Sequence, residues 1–268
     1  MLTTDQRAFY EENGYLLVKA MFSREEAAAL RAEAHALAAR LSALRSIDAT
    51  WGSARELAGR SDTVLLHCHD VQFYSAHFSR LIVDERLTAA ASDIIGSPNV
   101  QLHHTKMFIK PPEKGSPFPM HQDQPFFPHA NHSMIAAVVH FDDAPIEKGC
   151  IRVVPGSHKL GPLPHLPEHS WHLPFAQYPV DSATPCPAEA GDVLFFSYLT
   201  IHGSGINVSQ EARTTVLIQL RDPADPPTLK THESRGQGMI LRGIDPLAPR
   251  SEPAETAAQT MGGTMMSG

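Results

Sequence analysis

The sequence predicts a mainly β protein, an antiparallel sandwich or barrel flanked by helices. Three observations lead there. Short apolar runs recur between residues 100 and 220, bounded by Pro, Gly, Asn and Asp. No helical segment separates those runs, which argues against parallel βαβ units. Helical periodicity is confined to roughly the first hundred residues. With 268 residues, 42% apolar and 19% charged, the chain can bury a large core and is too apolar to be disordered.

The elements follow in order. Thr3 or Thr4 can cap a short first helix, and Gly14 can end it. Tyr15-Leu16-Leu17-Val18 reads as a strand. Ser23 with Glu26 forms a capping box that opens a long Ala-rich helix over residues 24 to 45. Leu30, Leu37, Leu41 and Leu44 lie near one face of it, so it serves as a buttress. Residues 46 to 78 read as irregular, and residues 79 to 96 as helical, ended by Gly96. The predicted strands are Val100–Ile109, Met134–Phe141, Ile151–Val154, Val193–Tyr198 and Thr214–Leu220. Residues 159 to 182 hold five of the 22 prolines and read as a loop near the mouth of the site. Residues 1 to 245 make one domain, and 246 to 268, without periodicity, make a flexible tail.

Several function classes are excluded. The net charge of −7, with no basic run, argues against a nucleic-acid partner. No apolar run reaches membrane-spanning length, and the first residues carry no apolar leader. Three cysteines (Cys68, Cys150 and Cys186) are an odd number without CxxC spacing. They read as free thiols in a reducing cytoplasm. The sequence carries no signal of oligomeric state.

The stretch that carries chemistry is His121-Gln122-Asp123. A His and an Asp two apart on a strand share a face. Completed by one distant His, they match the two-histidine, one-carboxylate triad of non-haem Fe(II) oxygenases, which leaves iron positions open for a cosubstrate and O₂. His202 ends an apolar strand and precedes Gly203-Ser204-Gly205. Arg213 stands near the start of the next strand, and a hairpin would bring it beside His202. An Arg there suits a dicarboxylic cosubstrate bidentately. Plainer readings exist: His202 as a strand cap, Arg213 as a surface residue. His67 and His69 share a face of one extended segment, which reads more simply as pocket wall than as a second metal site. His103, His129, His132 and His140 read as packing or surface residues.

These motifs together resemble the phytanoyl-CoA dioxygenase family of Fe(II)/2-oxoglutarate oxygenases. The resemblance rests on His104-Thr105, Lys110-Pro111-Pro112, Met120-His121-Gln122-Asp123, Phe127-Pro128, Lys148-Gly149-Cys150, Val154-Pro155-Gly156-Ser157-His158 and Ile201-His202-Gly203-Ser204-Gly205 with Arg213. It covers roughly residues 100 to 220. It implies a double-stranded β-helix, a jelly roll with iron at one open end. It also implies Fe(II) held by His121, Asp123 and His202, with 2-oxoglutarate and O₂ consumed. Arg213 and Ser204 would hold the C5 carboxylate of 2-oxoglutarate. Lys106 aligns with a family position beside 2-oxoglutarate and faces either the cosubstrate or solvent. Val139 stands where some relatives carry an aromatic residue.

Hydroxylation of an unactivated carbon is the default outcome, with desaturation, cyclisation and epimerisation open. The loops at 46–78, 159–182 and 222–245 are expected to shape the pocket. Their Trp51, Phe73, Tyr74, Trp171, Phe175 and Tyr178 suggest a mostly apolar small molecule, a specialised metabolite. An acyl-CoA 2-hydroxylase is the family precedent, but no basic cluster stands out for CoA phosphates. A jelly-roll metal enzyme without redox cosubstrate would not need Arg213. A non-catalytic binding protein would not need three metal ligands.

Overall fold

Side chains on the central strands alternate between two environments, and the computed structural model shows what each faces. It describes residues 1–166, 172–229 and 231–248. The expected tail beyond 248, and Trp171, lie outside the described residues.

The helical and extended elements are α1 (Thr4–Asn13), β1 (Tyr15–Val18), α2 (Arg24–Ser42), α3 (Gly52–Ala58), β2 (Leu66–His69), α4 (Ala76–Ile82) and α5 (Glu85–Ile95). Then come β3 (Val100–Lys110), β4 (Phe118–His121), β5 (Ile135–His140), β6 (Ile151–Val153), β7 (Thr184–Cys186), β8 (Val193–Ser197), β9 (His202–Ser204), β10 (Arg213–Arg221) and β11 (Ile240–Arg242). Thr3 and Ser23 cap α1 and α2 with capping boxes, and Gly14 and Gly96 end α1 and α5 in the left-handed conformation, as the sequence predicts.

The strands form two antiparallel sheets. The larger runs β1-β8-β5-β10-β3-β11 with β2 also on β3, and the smaller runs β4-β9-β6-β7. The two sheets make the double-stranded β-helix. Val139, Phe195, Val216 and Ile218 of the large sheet join one core with Leu37, Phe78 and Leu87 of α2, α4 and α5. Ala136, Val138, Leu194 and Phe196 turn the other way, toward Ile151 and Val153 of the small sheet. A two-residue period thus separates a helix-covered outer face from an inner face that holds the site.

Several expectations need correction. Residues 46–78 are not irregular throughout: they contain α3, β2 and the start of α4. The segment 79–96 is two helices, because Asp84 stops one and caps the next, accepting from the Arg86 amide. Residues 193–205 are not one strand followed by a hairpin. β8 lies in the large sheet and β9 in the small one, so Arg213 approaches His202 across the sandwich. Val139 packs into the helix-side core, while its neighbour Val138 lines the site, so the missing aromatic does not touch the cosubstrate region.

Gln122 points away from the site and ties its supports together. Its amide donates to Gly161 O (2.9 Å) and Leu199 O (2.7 Å) and accepts from the Leu163 amide (2.8 Å). His165 accepts from the Gln122 backbone amide at 2.8 Å. Gln122 is fully buried, so losing its amide strands three backbone groups. Gln122→Ala is expected to destabilise the fold by roughly 2–4 kcal/mol, read as a lower urea midpoint. An unchanged midpoint would show that water replaces these bonds without cost.

Candidate metal centre

β4 and β9 pair so that His121 stands directly opposite His202, with ring centroids 4.3 Å apart. Both rings are fixed from behind. His121 Nδ1 meets Pro119 O at 2.8 Å, and His202 Nδ1 meets Thr200 O at 3.0 Å. A ring nitrogen facing a carbonyl must carry the proton, which leaves each Nε2 with a free lone pair.

Asp123 does not reach the site by strand alternation. β4 ends at His121, and Asp123 begins a 3₁₀ turn with helical dihedrals. Its amide is held by Tyr198 O at 2.9 Å. Its Oδ1 lies 3.7 Å from His121 Nε2 and 3.8 Å from His202 Nε2. Its Oδ2 accepts a 2.6 Å hydrogen bond from Gln219 Nε2. One carboxylate oxygen is thus pinned and the other faces the two lone pairs. Burial, and then His202, push the His121 imidazolium well below its ordinary range, so His121 stays neutral and able to ligate. Among the described residues this is the only trio of metal-binding side chains whose donor atoms lie within 4.8 Å of one another. Two neutral imidazoles and one carboxylate with lone pairs converging fit a non-haem Fe(II).

The cavity over the trio is lined by Trp51, Phe108, Phe118, Phe126, Phe196 and Leu217, among others. Of the aromatics expected there, Trp51 is present, edge-on to His121 at 5.2 Å. Phe73 and Tyr74 are exposed, Phe175 stacks on His172, and Tyr178 packs beside Leu173 and Val180. Strand residues, more than loops, make the wall.

At the other end of the cavity Arg213 stands in the wall, with a second basic residue, Lys110, next to it on the neighbouring strand. Register places Arg213 opposite Lys110, and both are fully buried. Arg213 donates to Gly149 O, while its Nε has no partner. Lys110 Nζ donates to Ser204 Oγ at 2.7 Å and to Gly205 O. Burial lowers the Arg213 guanidinium to about 10, and burial followed by Arg213 drives the Lys110 ammonium well down. Among the described residues no carboxylate bonds either group. Two adjacent buried cations without an anion need one from outside the chain.

The structure therefore gathers His121, Asp123, His202, Ser204, Arg213 and Lys106 around one cavity. Sequence reasoning missed Gln219 and the role of Lys110. The signal was present in both cases: a polar residue on the inward face of an apolar strand, on the same register as Arg213 and Lys106. His67 and His69 neighbour each other at 4.2 Å without forming a metal trio.

Fold and site define a jelly-roll non-haem iron oxygenase. The phytanoyl-CoA dioxygenase family model matches residues 10–215, and the chain belongs to that family. It is 30% identical over 240 residues to the peroxisomal phytanoyl-CoA dioxygenase of Bos taurus, covering 83% of this chain and 69% of that one. It is 28% identical over 239 residues to the ectoine dioxygenase of Bordetella bronchiseptica, covering 81% and 74%. Among solved structures, the epimerase SnoN in complex with Fe3+, alpha ketoglutarate and nogalamycin RO is similar at a TM-score of 0.68 and 25% identity, over 90% of this chain and 96% of that one. The protein is an iron- and 2-oxoglutarate-dependent oxygenase.

Gln219 fixes the orientation of the Asp123 carboxylate. Gln219→Leu is expected to weaken Fe(II) binding roughly 10- to 100-fold, measured by competition with a chelator. Unchanged affinity would show that Asp123 holds its orientation unaided.

Proposed function

We propose that this enzyme hydroxylates an unactivated carbon of a mostly apolar small molecule, a specialised metabolite. The single observation that supports this is the wall of the cavity: aromatic and aliphatic side chains from both sheets surround the trio, with charge confined to its ends.

His121, Asp123 and His202 hold Fe(II). Arg213 takes the C5 carboxylate of 2-oxoglutarate, and the Ser204 hydroxyl, itself oriented by Lys110, adds a donor. When bound, Fe(II) and 2-oxoglutarate together supply an oxidant from O₂ that can abstract hydrogen from carbon. The chain's part is positioning and exclusion of water. The two Nδ1–carbonyl bonds and Gln219 fix the ligands, Arg213 and Lys110 fix the cosubstrate, and Trp51, Phe118 and Phe126 keep the cavity dry.

An acyl-CoA is disfavoured as substrate. The cations that line the cavity are Lys106 and Arg213, and Arg213 belongs to the buried pair with Lys110 described above. A cytoplasmic location is supported by three buried free cysteines. No described helix is long and apolar enough to cross a membrane.

Two experiments test the reading. Metabolite extracts incubated with the enzyme, Fe(II) and 2-oxoglutarate should show, by mass spectrometry, a compound gaining one oxygen atom. Consumption of 2-oxoglutarate with no such product from any extract would sink the hydroxylase assignment. Arg213→Ala should weaken 2-oxoglutarate binding by calorimetry, since losing one partner of a buried charge pair costs roughly 2–5 kcal/mol. That is about 30- to several-thousand-fold in affinity. Arg213→Lys should recover only part, because the planar fork is lost. Wild-type affinity in Arg213→Ala would move the anchor elsewhere.

A further inference from the structure

Two buried polar atoms at the metal end of the cavity have no hydrogen-bond partner among the described residues. One is Oε1 of Gln219 and the other is Nε2 of His104. Both residues line the cavity, and both are fully buried. They stand directly opposite each other, Gln219 on β10 and His104 on β3. Their side chains therefore enter the same end of the cavity from neighbouring strands. A buried polar atom without a hydrogen bond is costly, and here two of them adjoin one space.

The character of each atom is fixed by what holds the rest of its side chain. Gln219 Nε2 donates to Asp123 Oδ2 at 2.6 Å. That bond settles the orientation of the amide, so its remaining atom is an acceptor. It also places the acceptor one amide group away from the metal carboxylate. His104 Nδ1 lies 2.6 Å from Nδ1 of His103, and so short a contact between two ring nitrogens holds one proton. Burial, followed by Lys106 and His103, keeps the His104 ring neutral. With the shared proton on His103, the hydrogen of the His104 ring sits on Nε2, which is then a donor. An acceptor and a donor facing one space are matched by a single hydroxyl group, which gives a hydrogen to the first and takes one from the second. A carboxylate, ketone or ether has no hydrogen to give to Gln219.

The rest of that end is built from rings. Trp51, Phe108, Phe126 and Phe127 stand in its walls. The His232 ring centroid lies 4.6 Å from that of His104 and 5.4 Å from that of His69. Burial holds His69 and His232 at about 4, so both are uncharged at pH 7. In the cosubstrate reading both cations of the cavity wall, Lys106 and Arg213, serve 2-oxoglutarate. No charge is then left for a substrate to answer, and aromatic walls suit a flat ring.

We propose that the substrate is an uncharged aromatic molecule bearing a hydroxyl group, which donates to Gln219 Oε1 and accepts from His104 Nε2. This deepens the oxygenase reading above and rests on it. Because Gln219 also grips Asp123, the hydroxyl lies beside the metal, and a carbon close to that hydroxyl is the one presented for oxidation.

The test uses the full-length protein with Fe(II) and saturating 2-oxoglutarate in the absence of oxygen. It is titrated calorimetrically with pairs in which a hydroxyl is replaced by a methyl group of similar size: phenol with toluene, 4-hydroxyindole with 4-methylindole, and 2-naphthol with 2-methylnaphthalene. A purely apolar pocket would favour the methyl compound, which is the more apolar. The proposal expects the reverse: at least one hydroxyl compound binds about tenfold or more tightly than its partner. His104→Phe, or His104→Leu if the larger ring does not fold, should abolish that preference. His104→Gln, which keeps a donor, should retain most of it. Affinity for 2-oxoglutarate should stay within about threefold of wild type in each variant. No binding of any hydroxyl compound, no preference in any pair, or a preference that survives His104→Phe would overturn the proposal. So would a preference lost in His104→Gln as fully as in His104→Phe, which would show that His104 is not the donor. Failure of the wild type to bind 2-oxoglutarate would overturn the oxygenase reading as well, and so is distinguishable from failure of this inference alone.

Discussion

The antiparallel register of β10 on β3 is the constraint on which the site depends. It sets four inward pairs in a row: Arg213 with Lys110, Thr215 with Phe108, Leu217 with Lys106, and Gln219 with His104. One end of that row is a buried cationic pair and the other holds the partner of the metal carboxylate. A slip of one residue would turn Val216 and Ile218 into the cavity and Arg213 into the helix-side core. That slip is resisted by α2, α4 and α5, whose apolar faces pack in one core with Val216, Ile218 and Leu220. The helices contribute no metal ligand, yet they hold the register that aims the site.

The second sheet completes the arrangement through a different constraint. His121 and His202 face each other on paired strands, and the close approach of those strands leaves no room for a side chain at Gly203, where a Cβ would fall 2.7 Å from Phe118 O. Asp123 lies beyond the sheet and is held by the Tyr198 carbonyl. Three ligands thus come from one strand, one turn and one neighbouring strand, each anchored to backbone by a separate bond. Such anchoring keeps donor atoms converging without a metal to pull them together.

Much of this was legible in the residues. Short apolar runs bounded by turn residues identified Thr214–Leu220 and Val193–Tyr198 as strands, and caps at Thr3, Ser23, Gly14 and Gly96 marked helix ends. The trio His121, Asp123 and His202 is picked out by His-x-Asp and a distant His before Gly-Ser-Gly, and the fold brings their donor atoms within 4.8 Å of one another. What the sequence hid was long-range. β4 and β9 are short and rich in His, Gly and Pro, so local preference does not name them as strands. The partition of β8 and β9 between sheets is a property of topology, and a hairpin was the nearer guess. Asp123 was expected on a strand, since nothing local showed that the chain turns right after His121. Gln219 belongs to no motif and Lys110 reads only as part of Lys110-Pro111-Pro112, so their positions beside Asp123 and Arg213 come from the fold.

The central claim is that one Fe(II) sits between His121, Asp123 and His202 and that Arg213 takes the far carboxylate of 2-oxoglutarate. Crystals grown without oxygen in Fe(II) and 2-oxoglutarate, with diffraction data collected on both sides of the iron absorption edge, test it most directly. The account predicts one anomalous peak within bonding distance of both Nε2 atoms and Asp123 Oδ1, with the cosubstrate running from that peak to Arg213. A peak among His67, His69, His104 and His232, or a cosubstrate carboxylate lying away from Arg213, would contradict it.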